Sequence, residues 1–441
     1  MNKQAWIERA KELGLEQFEI YQALSSEKEF TWFQGEIDTF VTSKVLGTSL
    51  RAIKNGNVAT LTLENVEDET MDEALNALAQ QTEVITSTET VSLTEAQEVE
   101  IIENPHHFKM LTVEQIEQML KNIESKALAY DSKIVQVAYL GYEQASGRRE
   151  ITNSLGVELS DEDQVQYVAC SVVAQDKDSF KDATKIKVIF DHDSFDEDQF
   201  VKEVCEEALG KCGAHSIPSR MCPVIFEKDA MTSLLGAFTG LFSGDMIAKG
   251  ISPLAKDLGK KVFSEQITIF DDPKNTDALS IASFDDEGYP TRRKVVVDHG
   301  VFEQPLFDAR SAIKMNTKST GNGFKSGYAS SVHVSPMNMW IEPGNKDLDQ
   351  LMETMQEGVV ITDIMGLHAG LHFASTQFSL QASGYLVKEG KKSDPVTLIT
   401  VAGRFLDLMN DVWEVGSDLE WTYKQIVSPS ILFKNCAISG E

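Results

Sequence analysis

The chain has 441 residues, with 40 Lys and Arg against 69 Asp and Glu, a formal net charge of −29. A surface this acidic repels phosphate backbones and anionic lipid, which excludes nucleic acid and membranes as direct partners. A hydrophobic fraction of 42% is enough for sizeable cores and excludes disorder, and the length predicts two or three domains.

The acidity is uneven. Residues 1–220 carry 41 acids and 20 bases, a balance of −21, whereas residues 221–441 carry 28 and 20, a balance of −8. Between Asn55 and His107 there are 12 Asp or Glu and no Lys or Arg. That run reads as a solvated face, or as a surface that turns away wrong partners or steers a basic one.

The opening stretch, MNKQAWIERAKELGLEQF, predicts an amphipathic helix with Trp6, Ile7, Ala10 and Leu13 on one face. It has no apolar h-region and no cleavage-like site, and no stretch reaches the ~20 apolar residues of a membrane span. Five scattered cysteines, Cys170, Cys205, Cys212, Cys222 and Cys436, read as reduced thiols without a zinc pattern. The expected compartment is the cytoplasm.

Short alternating segments follow at 16–24, 28–41, 45–53 and 57–63, with Asn55-Gly56 as a hairpin turn. A helix is predicted over 69–79 and a polar linker over 80–104. Thr112-Val-Glu-Gln115 is a capping-box pattern that opens a helix with Val113, Ile116, Met119, Leu120, Ile123 and Ala127 at helical spacing. Strands are predicted at 134–140, 147–153, 157–159 and 165–174, with a turn at 154–156. Ser194-Phe-Asp-Glu197 suggests a second capping box, ahead of a helix with Phe200, Val201, Val204, Cys205, Ala208 and Leu209 inward. Beyond Ile217-Pro218 the texture changes. One apolar helix (229–242) and one amphipathic helix (347–356) stand among short strands at 294–298, 332–334, 339–342, 377–387, 396–401 and 431–434. The expected fold class is α+β: N-terminal mixed α/β domains at 1–105 and 106–216, then a mainly antiparallel β domain at 217–441.

Chemistry-bearing motifs are sparse. Gly321-Asn-Gly323 lies in STGNGFKSG, which lacks the Lys-Ser/Thr of a Walker loop and the spacing of a dinucleotide fingerprint, so it reads as a tight loop. Phe284-Asp285-Asp286-Glu287-Gly288 is a dense carboxylate run without EF-hand spacing. His368 and His372 in GLHAGLHF are four apart, but Gly366 and Gly370 argue against a helix and no His-Glu-x-x-His glutamate is present. A loop histidine that touches substrate or a partner backbone is the better reading of His368.

The run FDDEGYPTRRKVVVDHGVFEQPLFD, then STGNG, then GLHAGLHFASTQFSLQASGYLVKEGKK and ITVAGRFLDLM, resembles the TldD/PmbA family. WFQGEID, GTSLRAIKNGNVAT and GRREITNSLGVELS extend the likeness nearly end to end, and the PmbA (TldE) branch is the nearer match. The resemblance implies a cytosolic zinc metallopeptidase in which TldD-like and PmbA-like subunits pair, trimming leader peptides and degrading a small antitoxin. It implies two histidines and a glutamate in a His-Glu-x-x-x-His helix of the TldD branch, with a later cysteine. Here those positions fall on Gly236, Ala237 and Leu241, and the cysteine position on Val415; none binds zinc. No metal ligand or cofactor is therefore expected in this chain, and zinc is expected in a TldD-like partner. Asp285, Asp286, Glu287, Gly288, Gly321, Asn322, Gly323 and His368 carry over as substrate-binding residues, the scaffold of a shared tunnel that holds an extended peptide. Two other readings stand beside the non-catalytic subunit. One is a stand-alone binding scaffold or homodimer; the other is a metallohydrolase with a relocated site at His368, His372 and the 285–287 carboxylates.

Overall fold

A computed structural model of the chain describes residues 1–87 and 91–441. Helix α1 (Lys3–Glu12) is capped by Asn2, whose side chain accepts from the Ala5 amide, and it buries Trp6 and Ala10. Strands β1 (Gln17–Phe33), β2 (Glu36–Lys54) and β3 (Asn57–Glu64) follow, paired antiparallel. Where the sequence pattern suggests short segments, β1 and β2 are 17 and 19 residues long. The turn between them is Gln34-Gly35, inside the expected segment 28–41, with φ of 50° and 91°. Asn55-Gly56 repeats the geometry at 52° and 78°, the positive-φ pair that matches strand twist.

Helix α2 (Met71–Val84) runs through residues 80–84 of the expected linker, with Thr82 buried on it; of the remainder, residues 88–90 lie outside the described residues. Helix α3 (Val113–Tyr130) carries the complete capping box of Thr112 and Gln115; Val113, expected in its apolar set, is exposed at the first position, before the buried stripe begins. The four strand segments expected next are two long strands, β4 (Ile134–Asn153) and β5 (Glu158–Asp176). Small and polar residues such as Ala145, Ser146 and Gly147 interrupt the apolar alternation without interrupting the hydrogen-bond ladder. Strand β6 (Ser179–Val188) buries only Ala183, so its pattern gives no apolar signal. Helix α4 (Glu197–Gly210) is capped by Asp196, which accepts from the Gln199 amide. The expected cap, Ser194, instead ends a 3-10 turn (His192–Ser194) two residues upstream.

These six strands form one sheet in the order β3-β2-β1-β4-β5-β6. The β1–β4 register, from Glu19↔Asn153 to Thr31↔Gly141, carries the sheet across both segments 1–105 and 106–216. Their cores are separate. Helices α1 and α2 cover one end, over Phe18, Ile20, Leu50 and Ala52. Helices α3 and α4 cover the other, over Phe30, Tyr142, Val168, Cys170 and Val172.

The C-terminal lobe begins with β7 (Arg220–Phe226) and α5 (Lys228–Phe238). The helix expected over 229–242 changes pitch at Thr239, where a 3-10 turn (Thr239–Phe242) takes over. Next come α6 (Gly244–Ala248), β8 (Ile269–Asp271), β9 (Lys294–Asp298), β10 (Val301–Phe302), α7 (Ala309–Lys314), β11 (Gly323–Phe324), β12 (His333–Val334) and β13 (Met339–Ile341). Then follow α8 (Leu348–Met355), β14 (Gly358–Met365), β15 (Leu371–His372), β16 (Gln377–Lys388), β17 (Lys391–Arg404), α9 (Phe405–Asn410), β18 (Val412–Val415), β19 (Ile426–Val427) and β20 (Ile431–Ser439). One sheet runs β14-β7-β20-β17-β16-β15, with β18 on β20; a second runs β10-β9-β8-β13-β19. The pairs β7–β14 and β13–β19 are parallel, and the remaining registered pairs are antiparallel. Helices α7 and α9, six residues each, are too short to leave a helical period in the sequence. The chain is thus α+β with a β-rich C-terminal region. One apolar core joins α5 to both sheets through Phe226, Phe238, Phe242, Phe263, Phe302 and Phe405. Among the described residues no helix is long and apolar enough to cross a membrane.

The two caps separate by experiment. Thr112→Ala should lower the unfolding free energy by about 1 kcal/mol, read as a lower urea midpoint at unchanged slope. Ser194→Ala should leave that midpoint nearly unmoved, because Asp196 holds the end of α4.

Candidate functional site

The positions that match the family's metal motif lie at the end of α5. Gly236 stands in its last turn, where an added Cβ would just touch Ile426 Cδ1 at 4.0 Å. Ala237 packs half-buried against the apolar core, and Leu241, in the 3-10 turn, and Val415, closing β18, are buried in it. Phe238 stacks on Phe405 at 4.6 Å, and the Ser428 amide donates to Thr232 Oγ1 at 2.9 Å. These surroundings supply no imidazole, thiolate or carboxylate at any of the four positions, so zinc does not fit them. Among the described residues no group of three or more His, Cys, Asp or Glu is placed to hold a metal.

Seven of the eight scaffold residues meet in one buried knot. Asp285 Oδ1 accepts from the amides of Glu287 and Tyr289, and its Oδ2 accepts from the Gly323 amide at 2.9 Å. The Asp286 amide returns a bond to the Gly323 carbonyl. Asn322 receives Lys294 Nζ at 2.9 Å and donates to Asp271 Oδ2 at 2.9 Å and to the Ser335 carbonyl. Lys294 and Asp271 pair at 2.8 Å with both side chains wholly buried. Three of these places favour glycine, Gly288 among them with φ of 83°. Gly321 has φ of 72°, and a Cβ on Gly323 would lie 2.5 Å from Glu287 Oε2.

The knot also joins the two lobes. Asp286 Oδ1 accepts from Arg149 Nη1 at 2.8 Å and from the Tyr21 hydroxyl at 3.1 Å. Arg149 Nη2 donates to the Phe284 carbonyl, and its guanidinium lies 4.6 Å over the Phe284 ring. Arg51 pairs with Glu19 at 2.9 Å and lies 3.7 Å from Glu287. Lys325 sits 4.0 Å over the Tyr21 ring, and burial holds its ammonium below the ordinary lysine range. Tyr328 packs against Gly47, where a Cβ would meet the ring at 2.1 Å, and its hydroxyl donates to Glu64 at 2.6 Å. Sequence reading singles out the carboxylates but not Arg51 and Arg149. Arg51 carries a signal in alternation: Leu50 and Ala52 point into the core, so Arg51 between them must emerge on the opposite face, whereas Arg149, between Arg148 and Glu150, carries none.

His368 stands outside the knot, exposed in the turn between β14 and β15. That turn is not helical, and His372 Nδ1 instead accepts from Ser375 to cap a short 3-10 turn. Phe373 covers Gly240, where a Cβ would approach its ring to 3.0 Å. The GLHAGLHF segment therefore lies against the degenerate end of α5.

Three family models match the chain: PmbA/TldA metallopeptidase domain 1 over residues 18–82, its central domain over 106–211 and its C-terminal domain over 219–440. The chain belongs to this TldD/PmbA metallopeptidase family. It is 26% identical over 339 residues to a metalloprotease PmbA homolog of Haemophilus influenzae, covering 76% of this chain and 72% of that one. It is 28% identical over 239 residues to metalloprotease PmbA of Escherichia coli O157:H7, covering 54% and 50%. A Thermotoga maritima structure described as a candidate modulator of a DNA gyrase superposes with a TM-score of 0.90 at 27% identity, over 99% of each chain. TldE from Thermococcus kodakarensis shares the fold with a TM-score of 0.91 at 22% identity, over 99% of this chain and 100% of that one.

Burial lifts Glu287 from 4.5 to about 7, while Arg51 draws it back; burial and Glu287 lift Asp285 above its ordinary range. A carboxyl raised by folding favours the folded state fully below 4.5 and loses that contribution as pH rises through about 7. Glu287→Gln should therefore flatten the decline in thermal midpoint across that window, measured by calorimetry against the parent chain.

Proposed function

We propose that the chain is the non-catalytic, PmbA/TldE-type subunit of a two-subunit zinc metallopeptidase that processes unfolded peptides and small proteins in the cytoplasm. The observation that carries this reading is the α5 motif: Gly236, Ala237 and Leu241 replace every donor in a chain whose family models span both lobes. The shared fold with TldE agrees with that branch. A TldD-like partner with His-Glu-x-x-x-His supplies the zinc and the general base.

This chain's own residues then act by position. The knot of Asp285, Asp286, Glu287 and Asn322 is buried and hydrogen-bonded within the protein, so it fixes the loops rather than touching peptide. Exposed His368 is the scaffold residue free to contact an extended peptide held by main-chain hydrogen bonds. A relocated hydrolase site draws less support, because its carboxylates are those already bound to Arg51, Arg149 and backbone amides. A stand-alone homodimeric scaffold is the reading to fall back on if no catalytic paralogue accompanies the chain.

The purified chain should hold no stoichiometric zinc and leave an unstructured peptide intact. Mixed with its His-Glu-x-x-x-His paralogue, it should raise chelator-sensitive cleavage above that of the paralogue alone. Chelator-sensitive cleavage by this chain by itself would overturn the proposal. His368→Ala should weaken peptide binding to the mixed complex, and an unchanged affinity would remove His368 from the tunnel.

A further inference from the structure

We propose that Cys222 and Cys436 are a site of reversible oxidation, forming a disulfide that staples the first strand of the C-terminal lobe to the last. Strands β7 and β20 run antiparallel, and their register sets Cys222 directly opposite Cys436, beside the pairs Met221↔Ala437 and Arg220↔Ile438. Opposed residues of such a pair have Cα atoms about 4.5–5.5 Å apart, inside the roughly 4.4–6.8 Å that a disulfide bridges. Their side chains leave the sheet on one face, and both cysteines pack against the same apolar core. Both are free thiols.

The two thiols are unequal in a way that suits an attacking and a resolving cysteine. Cys436 is buried, and burial pushes its thiol up to about 12. Cys222 is only half-buried; burial raises its thiol too, and Arg220, two residues away on the same strand face, draws it part of the way back. A reachable thiol beside a cation, with a second thiol opposite, is the arrangement in which oxidation stops at the disulfide. The oxidant is a hydroperoxide. The Cys222 thiolate attacks its O–O bond, giving a sulfenic acid and, after protonation, one water from hydrogen peroxide. The Cys436 sulfur then attacks the sulfenic sulfur, its proton leaves with the hydroxyl as a second water, and the S–S bond forms. Two thiols lose two electrons and one peroxide gains them; a dithiol reverses the reaction.

Location gives the bond a consequence. The segment that links the lobes meets the end of β20 through hydrogen bonds from Ser219 Oγ to the Gly440 carbonyl at 3.0 Å and from the Glu441 amide to Ser216 Oγ at 3.0 Å. The disulfide would add a covalent tie beside them and close a ring around nearly the whole C-terminal lobe. Rings of that length constrain the unfolded chain most.

The test uses the full chain, reduced and then exposed to hydrogen peroxide, alkylated with N-ethylmaleimide and digested without reductant. The expected result is a peptide pair linked through Cys222 and Cys436, released by dithiothreitol, with a raised thermal midpoint in the oxidised chain. Cys170 and Cys205, buried in the N-terminal core, should stay as thiols. Cys222→Ser and Cys436→Ser should each abolish the link, and near-ultraviolet circular dichroism checks that each remains folded. Oxidation of Cys222 to a sulfinic acid without a link, a disulfide between two copies, or unreacted thiols would each overturn the proposal.

Discussion

The Arg149–Asp286 pair is the contact on which the two lobes depend. A buried charge is tolerated only when it is paired and its remaining lone pairs are met, and Asp286 meets that condition with partners from both lobes: Arg149 and Tyr21 from the sheet, and the Lys325 amide from its own lobe. Removing one partner of such a pair typically costs ~3–5 kcal/mol, far more than a surface ion pair contributes. Directionality matters as much as magnitude. Apolar contact alone, here Tyr21, Ile151 and Val157 around Phe284, would let the lobes slide. Arg149, with separate bonds to the Asp286 carboxylate and the Phe284 carbonyl, sets a single register.

That register also governs the STGNG loop. Asp285 and Asp286 are neighbours on one turn, yet one faces the loop and the other faces the sheet. Moving the sheet would therefore pull on Asp286, and through the shared backbone on the bond from Gly323 to Asp285. The lobe contact, the loop and the buried Lys294–Asp271 pair form one continuous polar unit. The loop's glycines are legible in the same terms: Gly321 and Gly323 are held where a Cβ would strike Pro290 or Glu287.

Much of this was legible in sequence, and what was not has identifiable causes. The first helix, the Thr112 capping box and the Asn55-Gly56 turn rest on local chemistry, which is why position and type agree with the structure. The long strands escaped because Ser25, Ser26, Ala145 and Ser146 lie mid-sheet, where neither helix pair covers them and no apolar alternation is needed. Ser194 misled because Asp196, two residues on, offers an equally good acceptor, and tertiary packing selects between them. The FDDEG run drew attention for its carboxylates, but nothing local could show that its arginine partners lie more than a hundred positions upstream. The Cys222–Cys436 opposition is likewise a property of strand register, invisible to spacing.

The net charge of −29 acquires a structural meaning from these contacts. The N-terminal lobe holds a twofold excess of acids, yet at the lobe contact it presents arginines, Arg51 and Arg149, to carboxylates of the less acidic lobe. The polarity of the interface is thus inverted relative to the surfaces it joins. Two acidic lobes would repel at long range, with the repulsion screened beyond about 8 Å at physiological salt, so short-range matched pairs beside the apolar contact around Phe284 hold them. Because the surplus charge lies outside that contact, it acts on the solvent-facing surface while leaving the knot undisturbed.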